Sequence, residues 1–266
     1  QLLVGLLTIP PSVAKAYGNG FTYSRSITID HTKVPNTDQS NFPVLVSGTY
    51  TYLKTTGNGG LVQNASGYDV GFYTNSDCST GKMNWETETY SATTGVVNYW
   101  VKVATASHTS DTVFYMCYGN SSITTDQSSA TSVWDSNYVM VQHLKETSGT
   151  ATSDSTSNGN NGTKLSATEP NPTTSGQISG AQTFDGSNDY IDAGTSSTFN
   201  YSSGNMTLSA WTKRISSGSN TPIFSKRVNG NSSTNYSFFF NNDGTLGTWN
   251  GLGFLTTAGT GAISLN

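Results

Sequence analysis

Phe184-Asp185-Gly186-Ser187-Asn188-Asp189-Tyr190-Ile191-Asp192-Ala193-Gly194, followed by Asn205-Met206-Thr207-Leu208-Ser209-Ala210-Trp211, is the stretch whose reading decides the fold class. The first piece reads as strand, polar turn, strand. The second alternates apolar with small or polar side chains, the period-2 signature of a half-buried strand. Around it, 137–144, 177–184, 190–193, 206–213, 222–228, 236–241 and 246–249 read as strands, and the polar, Asn/Gly-rich 149–172 as loop. Toward the N-terminus the same grammar continues, with short strands expected at 23–30, 42–46, 68–73, 83–90, 96–103 and 112–118. Val97, Tyr99, Val101 and Val103 share one face of their strand, and Val113, Tyr115 and Cys117 share one face of theirs. No stretch has helical periodicity and no repeat of fixed period is present, so the expected class is all-β, with sandwiches rather than a solenoid or propeller.

Composition agrees with that class. The chain has 266 residues, enough for two medium domains, and only 11% of them are charged, against roughly 25% in an average soluble protein. Its polar character comes from Ser, Thr, Asn and 28 Gly, while aromatics reach 11%. The net charge is −4 and no basic patch stands out, which argues against nucleic acid as a partner. Residues 1–16 read as part of a signal peptide: Leu2-Leu3-Val4-Gly5-Leu6-Leu7-Thr8-Ile9 is an apolar run, Pro10-Pro11 breaks it, and Ala14-Lys15-Ala16 has the small-x-small pattern of a cleavage site. The alternative is a buried N-terminal strand. The run is too short to span a bilayer, so no membrane span is expected in the chain.

Two cysteines are present, Cys78 and Cys117. In an exported chain an even count favours a disulfide, and closing a loop of about 40 residues is worth roughly 4 kcal/mol. The alternative is a pair of free, buried thiols. The Ser/Thr-rich segment 121–133 reads as a linker between a first sandwich, 17–120, and a second β region, 134–266.

The second region resembles the LamG-like, concanavalin A-like lectin jelly rolls of bacterial surface proteins. The resemblance lies in Trp134-Asp135-Ser136-Asn137-Tyr138, Asp154-Ser155-Thr156-Ser157-Asn158-Gly159-Asn160-Asn161-Gly162, Gly180-Ala181 leading into Phe184-Asp185-Gly186, Asp189-Tyr190-Ile191, and Met206 to Trp211, in the family's order. It implies a jelly roll. Fewer strands than that fold needs follow Asn137, and Ala262-Ile263-Ser264-Leu265 reads as the start of another, so truncation at the C-terminus is expected. The first region is similar to an uncharacterised bacterial extracellular domain that commonly precedes such jelly rolls, through 23–30, Phe42-Pro43-Val44-Leu45-Val46, Gly67-Tyr68-Asp69-Val70, Trp85-Glu86-Thr87-Glu88, Tyr99-Trp100-Val101-Lys102-Val103 and Tyr115-Met116-Cys117-Tyr118-Gly119-Asn120. That resemblance implies no activity.

Candidate chemistry is sparse. The 185–189 turn has a structural reading, in which Asp and Asn side chains bond nearby backbone N–H groups and Gly186 takes positive φ, and this needs no ligand. Its second reading is a calcium site built from Asp185, Asn188, Asp189 and Asp192, with Asp154 approaching in space, since calcium takes six to eight oxygens. A glycosidase needs two carboxylates facing each other across roughly 5–10 Å. The chain has four glutamates, Glu86, Glu88, Glu146 and Glu169, and of these Glu86 and Glu88 share one strand face, where the expectation is a solvated pair. His31, His108 and His143 are isolated in sequence and no zinc, nucleophile-elbow or phosphate-loop motif occurs. No catalytic residue is therefore assigned. Trp249, beside Asn250 and Gly251, is the candidate platform for a sugar ring, whereas Trp100 and Trp211 are expected in the core. The resulting expectation is a secreted or cell-surface, non-catalytic, lectin-like binding protein for glycan or protein ligands. The alternatives are a structural spacer or adhesin segment of a larger surface or phage-borne protein and, behind it, a polysaccharide-degrading enzyme of concanavalin A-like fold. Calcium is the one cofactor considered.

Overall fold

The computed structural model describes residues 17–164, 169–201, 205–215, 221–226, 236–250 and 253–255. The expected signal segment, 1–16, and the expected last strand, 262–265, lie outside them. The chain divides into two compact units, Gln1–Ala193 and Gly194–Asn266.

The first unit is built on six strands: β1 Tyr23–Ile29, β2 Gln39–Thr49, β3 Val70–Tyr73, β4 Trp85–Tyr90, β5 Val96–Ala106 and β6 Thr112–Tyr118. They form two antiparallel three-stranded sheets, in the orders β1-β6-β3 and β2-β5-β4. The two sheets share one core: Ile27, Val70, Phe72, Phe114, Met116 and Tyr118 from the first meet Val44, Val46, Trp85, Val97, Tyr99 and Val101 from the second. The alternation read in β5 is borne out, because Val97, Tyr99, Val101 and Val103 are all buried. In β6 the core face is the other one, Phe114, Met116 and Tyr118, while Val113 is exposed. Each fully buried large side chain of this kind is worth about 1.5–3 kcal/mol of burial. Pro43 is tolerated within β2 because that strand lies at the sheet edge. The disulfide forms between Cys78 and Cys117, whose Cα atoms are 6.2 Å apart, in a satellite cluster with Phe21 and Tyr73.

Residues 121–133, expected as a linker, are docked instead. A short helix, α1 (Ala130–Val133), packs on this body with Val133 fully buried, and Ser129 N donates to Trp85 O at 2.8 Å. Beyond it the chain lays small pieces of sheet: β7 Ala151–Thr152, β8 Gly162–Lys164, β9 Asn171–Thr173, β10 Ala181–Thr183 and β11 Ile191–Asp192, in the orders β11-β8-β7 and β10-β9. The strand expected at 137–144 is reduced to a single bridge, Gln142 with Asp154, because its polar groups bond to neighbouring loops rather than to a ladder. The unit boundary at Ala193 thus falls well beyond the expected division at 133/134.

The second unit, taken by itself, contains an antiparallel meander: β12 Thr221–Lys226, β13 Tyr236–Phe240, β14 Leu246–Asn250 and β15 Gly253–Leu255, in sequential order. Residues 206–213, expected as a strand, have no ladder partner among the described residues, and Trp211, expected in the core, is 57% exposed.

Candidate functional site

The outer face of the sheet β2-β5-β4 carries a concentration of buried ionisable side chains. In β5 the inward set leaves Asn98, Trp100 and Lys102 pointing outward. Opposite them, β4 has a register shift between Thr87 and Thr89, which leaves Glu88 as the extra residue. The bulge lets Trp85 and Tyr90 both serve the core while Glu86 and Glu88 both project outward. A solvated pair was expected there. Instead Glu86 and Glu88 are only 6% and 7% exposed, because residues 134–155 cover them.

His143 stands between the two carboxylates. Its Nε2 lies 3.1 Å from Glu86 Oε2 and its Nδ1 3.3 Å from Glu88 Oε2. The Nε2 contact is close but lacks the alignment of a hydrogen bond. Indole groups complete the shell: Trp134 Nε1 donates to Glu86 Oε2 at 2.8 Å and Trp100 Nε1 to Glu88 Oε2 at 2.6 Å. Ser155 Oγ donates to Glu86 Oε1 at 2.6 Å, and Lys145 Nζ to the Glu88 carbonyl at 2.7 Å. The Trp100 ring stacks on the imidazole at 5.9 Å and Trp134 tilts against it at 6.1 Å. Burial pushes the Glu86 carboxyl up, but His143, Ser155 and Trp134 together outweigh it and hold it below the ordinary glutamate range. Chemically, an imidazolium can donate toward both acids and a neutral imidazole toward only one. The imidazole fills the gap in which a glycosidase would place its sugar or water.

Two further histidines tie one end of the sandwich. His31 N and Nδ1 both approach Asp111 Oδ1, at 3.0 and 2.6 Å, and His108 N and Nδ1 approach Asp38 Oδ1 at 2.9 and 2.6 Å. The β1–β2 and β5–β6 connections therefore exchange one His–Asp clasp in each direction. The hydrogen bonds from His31 and His108 hold Asp111 and Asp38 below the ordinary aspartate range. Among the described residues, Asp30, His31 and Asp111 are the one group of three spaced to hold a metal ion, with ligand atoms within 4.8 Å of one another.

The residues weighed for calcium are placed differently. Asp185 Oδ1 accepts from Ser187 N at 2.8 Å and Asn188 N at 3.4 Å, Asp189 Oδ2 accepts from Asp185 N at 2.8 Å, and Gly186 has φ 78°. These bonds are the ones that the turn reading calls for, and the backbone N–H groups hold Asp185 low. Asp154 stays in its own loop, where it accepts from Val141 N, Thr156 N, Thr156 Oγ1 and Asn160 N. Asp192 sits in β11, paired with Thr163. Trp249 lies within β14 rather than in a loop, half-buried and paired with Ser237 and Phe254.

Sequence reasoning paired Glu86 with Glu88 but missed His143, Trp134, Ser155 and Lys145 as their partners. Trp100, expected in the core, instead lies on the outer face beside the two acids, as the alternation of β5 requires, and that alternation was the signal available. No family model, no curated protein and no solved structure matches this chain.

Proposed function

We propose that the chain is a non-catalytic module of an exported or cell-surface protein, and that its first unit is a rigid structural spacer. One observation carries this reading: the two glutamates and the histidine best placed for acid–base work are covered by residues 134–155, and their contacts are used to dock that segment on the sandwich. The disulfide and the paired His–Asp clasps support it by tying loops of the same body. The disulfide also suits an oxidising compartment, and no helix among the described residues is long and apolar enough to cross a membrane.

A second reading, a lectin-like module, is favoured by the exposure of Trp211 and by the resemblance of 134–266 to concanavalin A-like jelly rolls. An indole face in a weakly charged surface suits stacking on the apolar face of a sugar ring. Calcium, through the acidic turn at 185–192, would belong to this reading.

A glycan array separates the two. A blank array with folded protein supports the spacer; retained binding that Trp211→Ala abolishes supports the lectin. Reducing-sugar release from a polysaccharide panel, lost in Glu86→Gln or Glu88→Gln, would refute the non-catalytic assignment altogether.

A further inference from the structure

Lys164, the last residue of β8, is 2% exposed and ranks among the largest fully buried side chains of the protein. Its Nζ donates one hydrogen bond, to Gln182 Oε1 in β10 at 3.3 Å. Among the described residues no carboxylate lies within ion-pair distance of it. An ammonium buried without a counter-charge is strongly disfavoured; an amide nitrogen in the same place carries no charge. Gln182 is fixed from its other side, where Nε2 donates to Leu144 O at 3.0 Å and to Glu146 O at 2.9 Å. Glu146 uses Oε1 to accept from Ser153 N at 2.8 Å, while its Oε2 is buried and has no hydrogen-bond partner. A buried primary amine thus contacts a carboxamide held in place, and the residue whose backbone carbonyl holds that carboxamide keeps one carboxylate oxygen unused.

We infer that Lys164 and Gln182 join in an intramolecular isopeptide bond. Lys164 Nζ attacks Gln182 Cδ; the Nζ–Cδ bond forms, the Cδ–Nε2 bond breaks, and the Gln182 side-chain nitrogen leaves as ammonia. One Nζ proton travels to the departing nitrogen; Glu146 carries it by turning its unused Oε2, which stands beyond ion-pair distance of Nζ, toward the amine. Amine and carboxamide become secondary amide and ammonia, and no oxidant, reductant or cofactor enters. Nζ is held 3.3 Å from the carboxamide oxygen, one bond from the acyl carbon; attack requires the amine to close on that carbon, and turning the carboxamide about its last bond offers the amine the open face of the carbonyl. The product leaves a neutral secondary amide where an ionisable amine stood and ties the β11-β8-β7 sheet to the β10-β9 sheet, which share no backbone ladder among the described residues.

Tryptic mapping of the full chain, reduced and alkylated, tests this. Lys145, Lys164 and Lys213 are successive cleavage points, so an unlinked chain yields separate 146–164 and 165–213 peptides. The linked chain yields a single 146–213 peptide, uncut after Lys164, lighter by one ammonia, with fragment ions joining residues 164 and 182. Asn158-Gly159 and Asn161-Gly162 can lose ammonia by succinimide formation, so Lys164→Arg is the control: its guanidinium is no nucleophile, and two peptides of full mass are expected. Gln182→Met should restore cleavage after Lys164, and Glu146→Gln should leave most chains unlinked. Complete cleavage after Lys164 at full mass in the unsubstituted protein overturns the inference, as does an ammonia loss that persists in Lys164→Arg. Full linkage in Glu146→Gln removes Glu146 from the step.

Discussion

Glu86→Ala is the sharpest probe of the buried cluster. The substitution takes away the acceptor of Trp134 Nε1 and of Ser155 Oγ and leaves His143 facing Glu88 alone. A buried donor left without its partner costs about 1–3 kcal/mol, and breaking a buried ion pair from one side costs about 3–5 kcal/mol. These costs overlap, because all three partners converge on one carboxylate, so the expected loss is about 3–5 kcal/mol rather than their sum. Glu86→Gln keeps the volume and one carbonyl acceptor and should cost less, about 1–3 kcal/mol. Urea unfolding followed by tryptophan fluorescence is the assay, since Trp100 and Trp134 both touch the imidazole. Near neutral pH the midpoint of Glu86→Ala should fall with an unchanged slope.

The pH dependence has a definite sign. The folded-state pKa of Glu86 is held below the ordinary value of 4.5. Its contribution is therefore fully present above 4.5 and is lost as pH falls through the lower folded value. The gap between the unsubstituted chain and Glu86→Ala should be widest near neutrality and close in acid. A gap under about 0.5 kcal/mol at neutral pH, the size of an ordinary surface substitution, would refute the reasoning. So would a gap that is the same on both sides of the glutamate range.

Three other perturbations test the frame around the cluster. Cys78→Ser should lower stability by about 4 kcal/mol, given the separation of 39 residues between the linked cysteines, as measured by denaturant melts. Asp69 is fully buried, and its two oxygens accept from the backbone N–H groups of Gln63, Asn64, Gly119 and Asn120. Asp69→Ala should cost more than 4 kcal/mol, on the order of two unsatisfied buried donors or more, and calorimetry showing an unchanged Tm would refute that role. Gly95 closes the β4–β5 turn with φ 73°, and an added Cβ would collide with the Tyr50 carbonyl oxygen. Gly95→Ala should therefore destabilise by more than about 1 kcal/mol, whereas Gly149→Ala, at the same φ but in open space, should cost less.

What the sequence conveyed followed physical range. Val97, Tyr99, Val101 and Val103 show their burial through an alternation that is purely local, and the strands at 23–30, 42–46, 96–103 and 112–118 could be read the same way. The disulfide was legible from the even cysteine count. Within the described residues, the strands read at 222–228, 236–241 and 246–249 coincide with β12, β13 and β14, which Phe238, Phe239, Phe240 and Trp249 announce. The strand expected at 137–144 failed because tertiary partners took its polar groups: Gln142 bonds Asn160 and Thr152, and His143 turns to the glutamates. Met206–Trp211 has the right alternation but no ladder partner among the described residues, and alternation alone cannot supply one. The cluster itself was illegible for a related reason. Glu86 and His143 are far apart in the chain, and a pair of acids on a strand face looks the same whether water or another segment covers it. Trp100 was expected in the core, but the alternation of β5 turns it outward beside the two acids, and a large indole there is the sign that a cover is needed.

The chemistry of that cover bears on why 121–155 belongs to the first unit. An apolar outer face on β4 and β5 would accept any apolar segment, in several registers. Two buried glutamates accept only a segment that brings an imidazole, an indole N–H and a hydroxyl to fixed places, as His143, Trp134 and Ser155 do. On this hypothesis the charges set register more than they add stability, since desolvation consumes most of the attraction within a buried ion pair. Replacing Glu86, Glu88 and His143 together by Leu tests it, because the triple change leaves no single charge stranded. Stability near neutral pH should then fall by about 3 kcal/mol or more, the loss coming from Trp134 Nε1, Trp100 Nε1 and Ser155 Oγ, which lose their acceptors at about 1–3 kcal/mol each, rather than from a stranded charge. Hydrogen exchange across 134–155 should also become faster and less uniform, as the segment loses its one specified seat. A triple variant that protects those amides as well as the original chain would show that packing of Trp100 and Trp134 sets the register without the charges.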